Sequence, residues 1–172
     1  MKEAVLPLDR RQRRRQESIE EILDVAVEVM AEQGVAGLSI GEVARRMGIR
    51  PPSLYVYFDS KHALYDGLFA RGAKLVLAAV EEASSTVLET DTLEDALLTA
   101  GTAIVRWSVE NPAYSQLLFW RPVPGYTPTA EAYAPAVRLV ELARERFRDL
   151  QRRGLLRDDI PAEEIQRNWT VL

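Results

Sequence analysis

Between Ser39 and Lys61 the chain sets out Ser39, Arg50, Ser53, Tyr55, Tyr57 and Lys61, with Pro51 among them. Hydroxyl, guanidinium and ammonium donors in one short stretch suit a polyanion: most would bind phosphate oxygens, and Arg50 and Ser53 are the better placed for base edges. The rest of the inventory excludes much other chemistry. Cysteine is absent, which removes disulfides, cysteine-bound zinc and thiol nucleophiles together. His62 is the only histidine, with no second one to share a metal, and reads as a surface or phosphate-edge residue. There is no glycine-rich phosphate loop, so no catalytic residue, metal or cofactor is assigned and an enzyme is not expected.

Two short helices must position these donors. Ser39 with Glu42 three residues on has the capping-box pattern, so a helix starts at Ile40. Ile40, Val43, Ala44 and Met47 then share one buried stripe. Gly48 permits the left-handed backbone that ends the helix and turns the chain. Pro51 suits the first turn of a second helix, with Leu54, Tyr55 and Phe58 on one side and Arg50, Ser53 and Tyr55 or Tyr57 on the outer face. Two helices joined by a tight glycine turn form a helix-turn-helix, whose second helix reads a DNA major groove.

The run from Gly48 through Ser53-Leu54-Tyr55, Tyr57-Phe58 and Ser60-Lys61 resembles the DNA-binding domain of the TetR/AcrR family of transcriptional regulators, over about Glu17 to Leu68. Arg50 and Pro52 depart from the small or glycine residues common there. The resemblance implies an all-α chain: an N-terminal three-helix DNA-binding domain followed by a helical ligand-sensing and dimerisation domain. It further implies a dimer on a pseudo-palindromic DNA operator, released by a small-molecule effector, and a further helix beyond the last one read here. The expected divisions are a basic arm at 1–16, the helix-turn-helix domain at 17–62 and the helical body at 63–172.

The remaining pattern is helical throughout. Glu17 to Gln33 carries the stripe Ile19, Ile22, Leu23, Ala26, Val29 and Met30, closed by Gly34, with a solvated acidic face of Glu20, Glu21, Asp24 and Glu28. Asp59 or Ser60 caps a helix to about Ser84, with Leu64, Leu68, Leu75, Val76, Ala79 and Val80 inward. A polar connection, Thr86 to Thr92, leads to a helix holding Leu93, Ala96, Leu97, Ala100, Ile104 and Trp107. Asn111-Pro112 opens a short helix with Tyr114, Leu117, Leu118 and Phe119, and a proline-rich loop runs from Trp120 to Pro128. A long helix from Thr129 to Arg153 carries Val137, Val140, Ala143, Phe147 and Leu150, and Pro135 either separates its first turn or bends it. Pro161 opens a last helix on which Ile165, Trp169 and Leu172 share a face.

The net charge is −4, yet residues 1–62 hold ten Lys or Arg against ten Asp or Glu, so the whole deficit lies beyond the reader. Arg10, Arg11, Arg13, Arg14 and Arg15 form a basic arm that is either solvated or in contact with phosphate. No apolar run approaches the roughly 20 residues of a membrane span, and no signal-peptide pattern is present, so a cytoplasmic protein is expected. Trp107, Tyr114, Leu118, Phe119, Trp120 and Tyr133 are the candidate lining of an apolar effector pocket, against the alternative that they are ordinary core. A helical protein-interaction module without specific DNA binding is the competing reading of the whole.

Overall fold

Asp9 starts the first helix by accepting the Gln12 N–H (2.8 Å) while Gln12 Oε1 accepts the Asp9 N–H (3.1 Å), a reciprocal capping box. The structure, a computed structural model, describes residues 9–85 and 92–169. Helix α1 runs Arg10–Gln33, so it begins before Glu17 and takes in the arginines expected to form a separate arm. Residues 1–8 of that arm lie outside the described residues. Arg10 to Glu17 are all exposed, which is why no apolar period marks this end. Further on, Ile22, Leu23, Ala26, Val29 and Met30 bury the expected stripe.

A single 3₁₀ turn, Val35–Gly37, leads to α2, Ile40–Arg46, and α3, Pro51–Leu54. Ser39 Oγ accepts the Glu42 N–H (3.4 Å), and Gly48 turns the chain at φ 68°, a value that costs a residue without Cβ little. Helix α4, Lys61–Ser85, is capped by Ser60, whose Oγ accepts the Ala63 N–H at 3.0 Å. Its buried line includes Tyr65, Phe69 and Ala73 as well as Leu64, Leu68, Val76 and Val80. Leu75, expected inward, is 41% exposed because it lies one residue, about 100°, off that line.

The body continues with α5, Leu93–Glu110, and α6, Pro112–Phe119. Residues 86–91 of the expected connection lie outside the described residues, whereas Thr92 is the N-cap of α5 and exchanges hydrogen bonds with Asp95. Asn111 spends its side chain backwards, donating from Nδ2 to the Trp107 carbonyl at 3.0 Å rather than capping α6. Helix α7, Ala130–Arg152, keeps Pro135 inside one continuous element. Val137 faces out, since the inner line of α7 passes through Ala132, Ala136 and Leu139 to Phe147 and Leu150. Helix α8 is Ala162–Trp169, with Ile165 half-buried. The side chain of Trp169, those of Leu93 and Ala96, and the whole of Leu172 fall outside what is described.

Among the described residues the fold is all α, with no strand. One apolar cluster joins α1, α2, α3 and α4 to Trp107, Ala113, Tyr114 and Leu117 of the body. A smaller one gathers Phe147, Leu150 and Ala162, with Leu97, Ala143, Leu156 and Ile165 packed against it.

Candidate nucleic-acid interface

The reader α3 is one helical turn, prolonged by the Tyr57 and Phe58 N–H groups, which both donate to the Leu54 carbonyl (2.9 and 3.1 Å). So short an element has little stability of its own and takes its orientation from what it is anchored to. Leu54 is fully buried and Phe58 nearly so. With those two side chains inward, Arg50, Pro51, Pro52, Ser53, Tyr55 and Val56 are left exposed. Tyr55 therefore does not share the buried side with Leu54 and Phe58: it is 50% exposed, because one residue after Leu54 is a turn of about 100°. Arg50 holds an extended backbone (φ −81°, ψ 142°) ahead of Pro51, as a residue before proline prefers.

Charge around the turn is partly neutralised within the protein. Glu42 was expected to complete a capping box with Ser39, but its carboxylate accepts instead from Arg45 Nε and Nη2 (2.8 Å each) and from Arg46 Nε (2.9 Å). These hydrogen bonds hold the Glu42 carboxyl at about 2, well below the usual carboxylate range. Arg46 also reaches Glu32 on α1 at 2.9 and 2.5 Å, and its own pKa rises. Two of the three arginines near the turn are thus paired with carboxylates of the protein, and Arg50 is exposed ahead of the reader.

The remaining candidates sit around the reader. Ser39 is exposed at the start of α2. Lys61 is exposed at the start of α4, where its Nζ donates to the Ala36 carbonyl (3.3 Å) and lies 5.5 Å from the centre of the Tyr65 ring. Tyr65 in turn donates its buried hydroxyl to the Val35 carbonyl at 2.7 Å, so α4 is tied twice to the turn before α2. Tyr57 is half-buried, with the Arg15 guanidinium 5.3 Å from its ring centre. The structure thus brings together Arg50, Pro51, Ser53 and Tyr55 on one exposed turn, and gives Tyr57 and Lys61 partners within the protein.

Two family profiles match the chain in succession. The one described as bacterial regulatory proteins, tetR family, covers residues 22–68, and the one described as tetracyclin repressor-like, C-terminal domain, covers residues 97–172. This chain belongs to the TetR family. Among curated relatives, the HTH-type transcriptional regulator YobS of Bacillus subtilis, itself uncharacterized, is 31% identical over 93 residues, 54% of this chain and 47% of that protein. The HTH-type transcriptional regulator Mb1846 of Mycobacterium bovis is 30% identical over 105 residues, 61% of this chain and 44% of its own length. The chain thus spans about half the length of these curated relatives. Among solved structures, the TetR family transcriptional regulator PfmR from Thermus thermophilus has the same fold, with TM-score 0.66, 23% identity, and coverage of 87% of this chain and 84% of that one. A protein with unknown function from Rhodococcus sp. RHA1 superposes with TM-score 0.74 at 20% identity, over 87% and 75% of the two chains.

In this TetR-family chain the six residues considered for an effector pocket separate. Trp107 and Tyr114 are buried in the main core, and Leu118 is half-buried beside Tyr114 against Gly72. Phe119 and Trp120 are exposed at the end of α6, and the Tyr133 ring stacks on Phe69 at 5.7 Å. An open groove of about 360 Å³ beside the end of α4 is lined by Ala83, Leu98, Thr99, Thr102, Ala103 and Arg106, and contains none of the six. The Tyr114 hydroxyl is buried without a hydrogen-bond partner among the described residues, and burial pushes its pKa up to about 12.

Two charged residues of α4 that the sequence pattern did not single out, Arg71 and Asp66, tie that helix to its neighbours. Arg71 on α4 pairs with Asp24 (2.5 Å) and Glu20 (3.5 Å) on α1, so half of the acidic face read as solvated has a partner. Asp66 Oδ1 accepts the Tyr126 hydroxyl (2.9 Å) and the Thr129 N–H (3.2 Å), fastening the loop before α7 onto α4. A tyrosine amid the prolines of 122–128 was the available signal for that contact.

Proposed function

We propose that this chain is a DNA-binding transcriptional regulator, most simply a repressor, that acts as a homodimer on a pseudo-palindromic operator. The observation that carries the reading is the exposed turn Arg50-Pro51-Pro52-Ser53 with Tyr55, held outward by the buried Leu54 and Phe58. Arg50 suits a bidentate contact with guanine, Ser53 and Tyr55 suit phosphate or base-edge contacts, and the two prolines offer apolar contact with thymine methyls. Ser39, Tyr57 and Lys61 flank that turn and would set its register on the backbone. Two readers on one face of the duplex would engage grooves about 34–36 Å apart. A small apolar effector in the helical body would favour a conformer with the wrong spacing and so release the DNA. No enzymatic turnover is assigned, and a cytoplasmic location accords with the absence, among the described residues, of any helix long and apolar enough to cross a membrane.

The test is binding to labelled DNA from beside the protein's own gene and to an unrelated fragment, at two salt concentrations. Selective binding that weakens steeply with salt supports the reading, since each phosphate neutralised contributes a slope of about −0.9 in log K against log salt. Equal, weak binding to every fragment, including those from a random pool, would overturn it. One observation favours the competing interaction module: Leu98, Val105 and Val109 leave an exposed apolar stripe along α5. An association through such a stripe would be insensitive to salt, and light scattering would separate a homodimer from a strict monomer.

A further inference from the structure

Arg15 is placed unlike the other arginines at the start of α1. Its Nη1 donates to the Val56 carbonyl at 3.2 Å, and its guanidinium lies 5.3 Å from the centre of the Tyr57 ring. Val56 and Tyr57 are the two residues that prolong the one-turn reader toward Phe58. Leu54 and Phe58 hold that turn from its inner side, and two apolar contacts alone leave a short element free to rock about the line joining them. Arg15 grips it from the solvent side. A planar guanidinium can donate in its plane and stack through its face at once, which an ammonium cannot. Arg15 can do this reliably because it lies on the same continuous helix as Ile22, Leu23 and Ala26, all buried in the core.

We propose that Arg15 is a positioning residue for DNA reading, fixing the Val56-Tyr57 end of the reader rather than contacting phosphate itself. The inference rests on the DNA-reading function proposed above and deepens it. It divides the basic start of α1 by role: both Arg14 and Arg15 are exposed, but the Arg15 guanidinium is held at the Val56 carbonyl and the Tyr57 ring, which leaves Arg14 to meet the DNA backbone.

The experiment compares the whole chain with Arg15→Lys, which keeps the charge, Arg15→Gln, and Arg14→Gln, on a fragment selected from a random DNA pool by the unaltered chain and on a scrambled fragment. Circular dichroism first checks that each variant is folded. A positioning role predicts that Arg15→Lys weakens binding to the selected fragment about five- to tenfold and leaves the scrambled fragment and the salt slope unchanged. Arg14→Gln, in contrast, should weaken both fragments alike and reduce the slope by about 1. Amide exchange without DNA supplies a second readout: the Tyr57 and Phe58 amides should exchange faster in Arg15→Lys and Arg15→Gln, while those of α2 do not. Wild-type affinity in Arg15→Lys, a uniform loss with a flattened slope in Arg15→Gln, or unchanged exchange at Tyr57 and Phe58 would each overturn the inference. If the unaltered chain selects no fragment, the DNA-reading function itself fails and takes this role with it; failure in the Arg15 variants alone sinks only the positioning role.

Discussion

Glu42 shows how far a local reading of a residue goes. Its spacing from Ser39 correctly marks the start of α2, but the carboxylate serves Arg45 and Arg46, and Arg46 brings in Glu32 from another helix. The folded pKa is depressed to about 2 from an ordinary 4.5. The stabilisation is therefore present above the ordinary value and lost as pH falls through the folded one. Thermal unfolding between pH 5 and pH 2 should fall more steeply for the unaltered chain than for Glu42→Gln; parallel curves would refute the assignment. Tyr114 makes the opposite case, a buried hydroxyl that no described residue meets with a hydrogen bond. Removing a buried hydroxyl that makes no hydrogen bond should stabilise, so Tyr114→Phe is expected to gain about 1 kcal/mol in denaturant unfolding. A loss of that size would mean the hydroxyl has a role in the folded protein. Ser39, Gly48 and Leu54 were legible because caps, turns and burial periods are local. The partners of Lys61, Arg15 and Arg71 were not, because each lies on an element distant in sequence.

At the scale of elements, α4 is crossed closely by α6 at Gly72. A Cβ placed there would meet Tyr114 Cδ1 at 2.7 Å and Leu118 Cδ1 at 3.0 Å. The aromatic ring is packed and has little room to give, so overpacking of about 1–3 kcal/mol should outweigh the gain of about 1 kcal/mol that alanine brings to a helix interior. Gly101 on α5 supplies the contrast, with nothing within 4 Å of its Cβ position. Gly72→Ala is expected to lower the unfolding free energy and Gly101→Ala to raise it by up to about 1 kcal/mol; the same sign for both would discredit the packing at α6. The start of α2 was readable from Ser39, that of α4 to within Asp59 or Ser60, of which Ser60 is the cap, and that of α7 to within a residue of Thr129. The start of α1 was not, since a helix that projects into water has no reason to repeat apolar residues.

For the whole molecule, the two apolar clusters set the order of opening. The larger one runs from α1 through α4 and on to Trp107 and Tyr114, so the reader's support and the near part of the body share one core. The smaller one holds the end of α7 to α8 through three buried side chains. Amide exchange should find α8 opening at a lower free energy than α1 and the buried part of α4, and uniform protection across both would contradict that division. Composition and period disclosed that the chain is helical. They could not disclose that the core continues past residue 62, because that depends on which distant faces meet. The unbroken length of α1 has a consequence for the entropy of association. Its 24 residues extend about 36 Å as one rod, so the arginines at its tip arrive already ordered. A flexible tail would lose conformational entropy on meeting a phosphate backbone; here most of the backbone's share of that loss has occurred during folding. Calorimetry of DNA binding should accordingly show a small ordering penalty for this end of the chain.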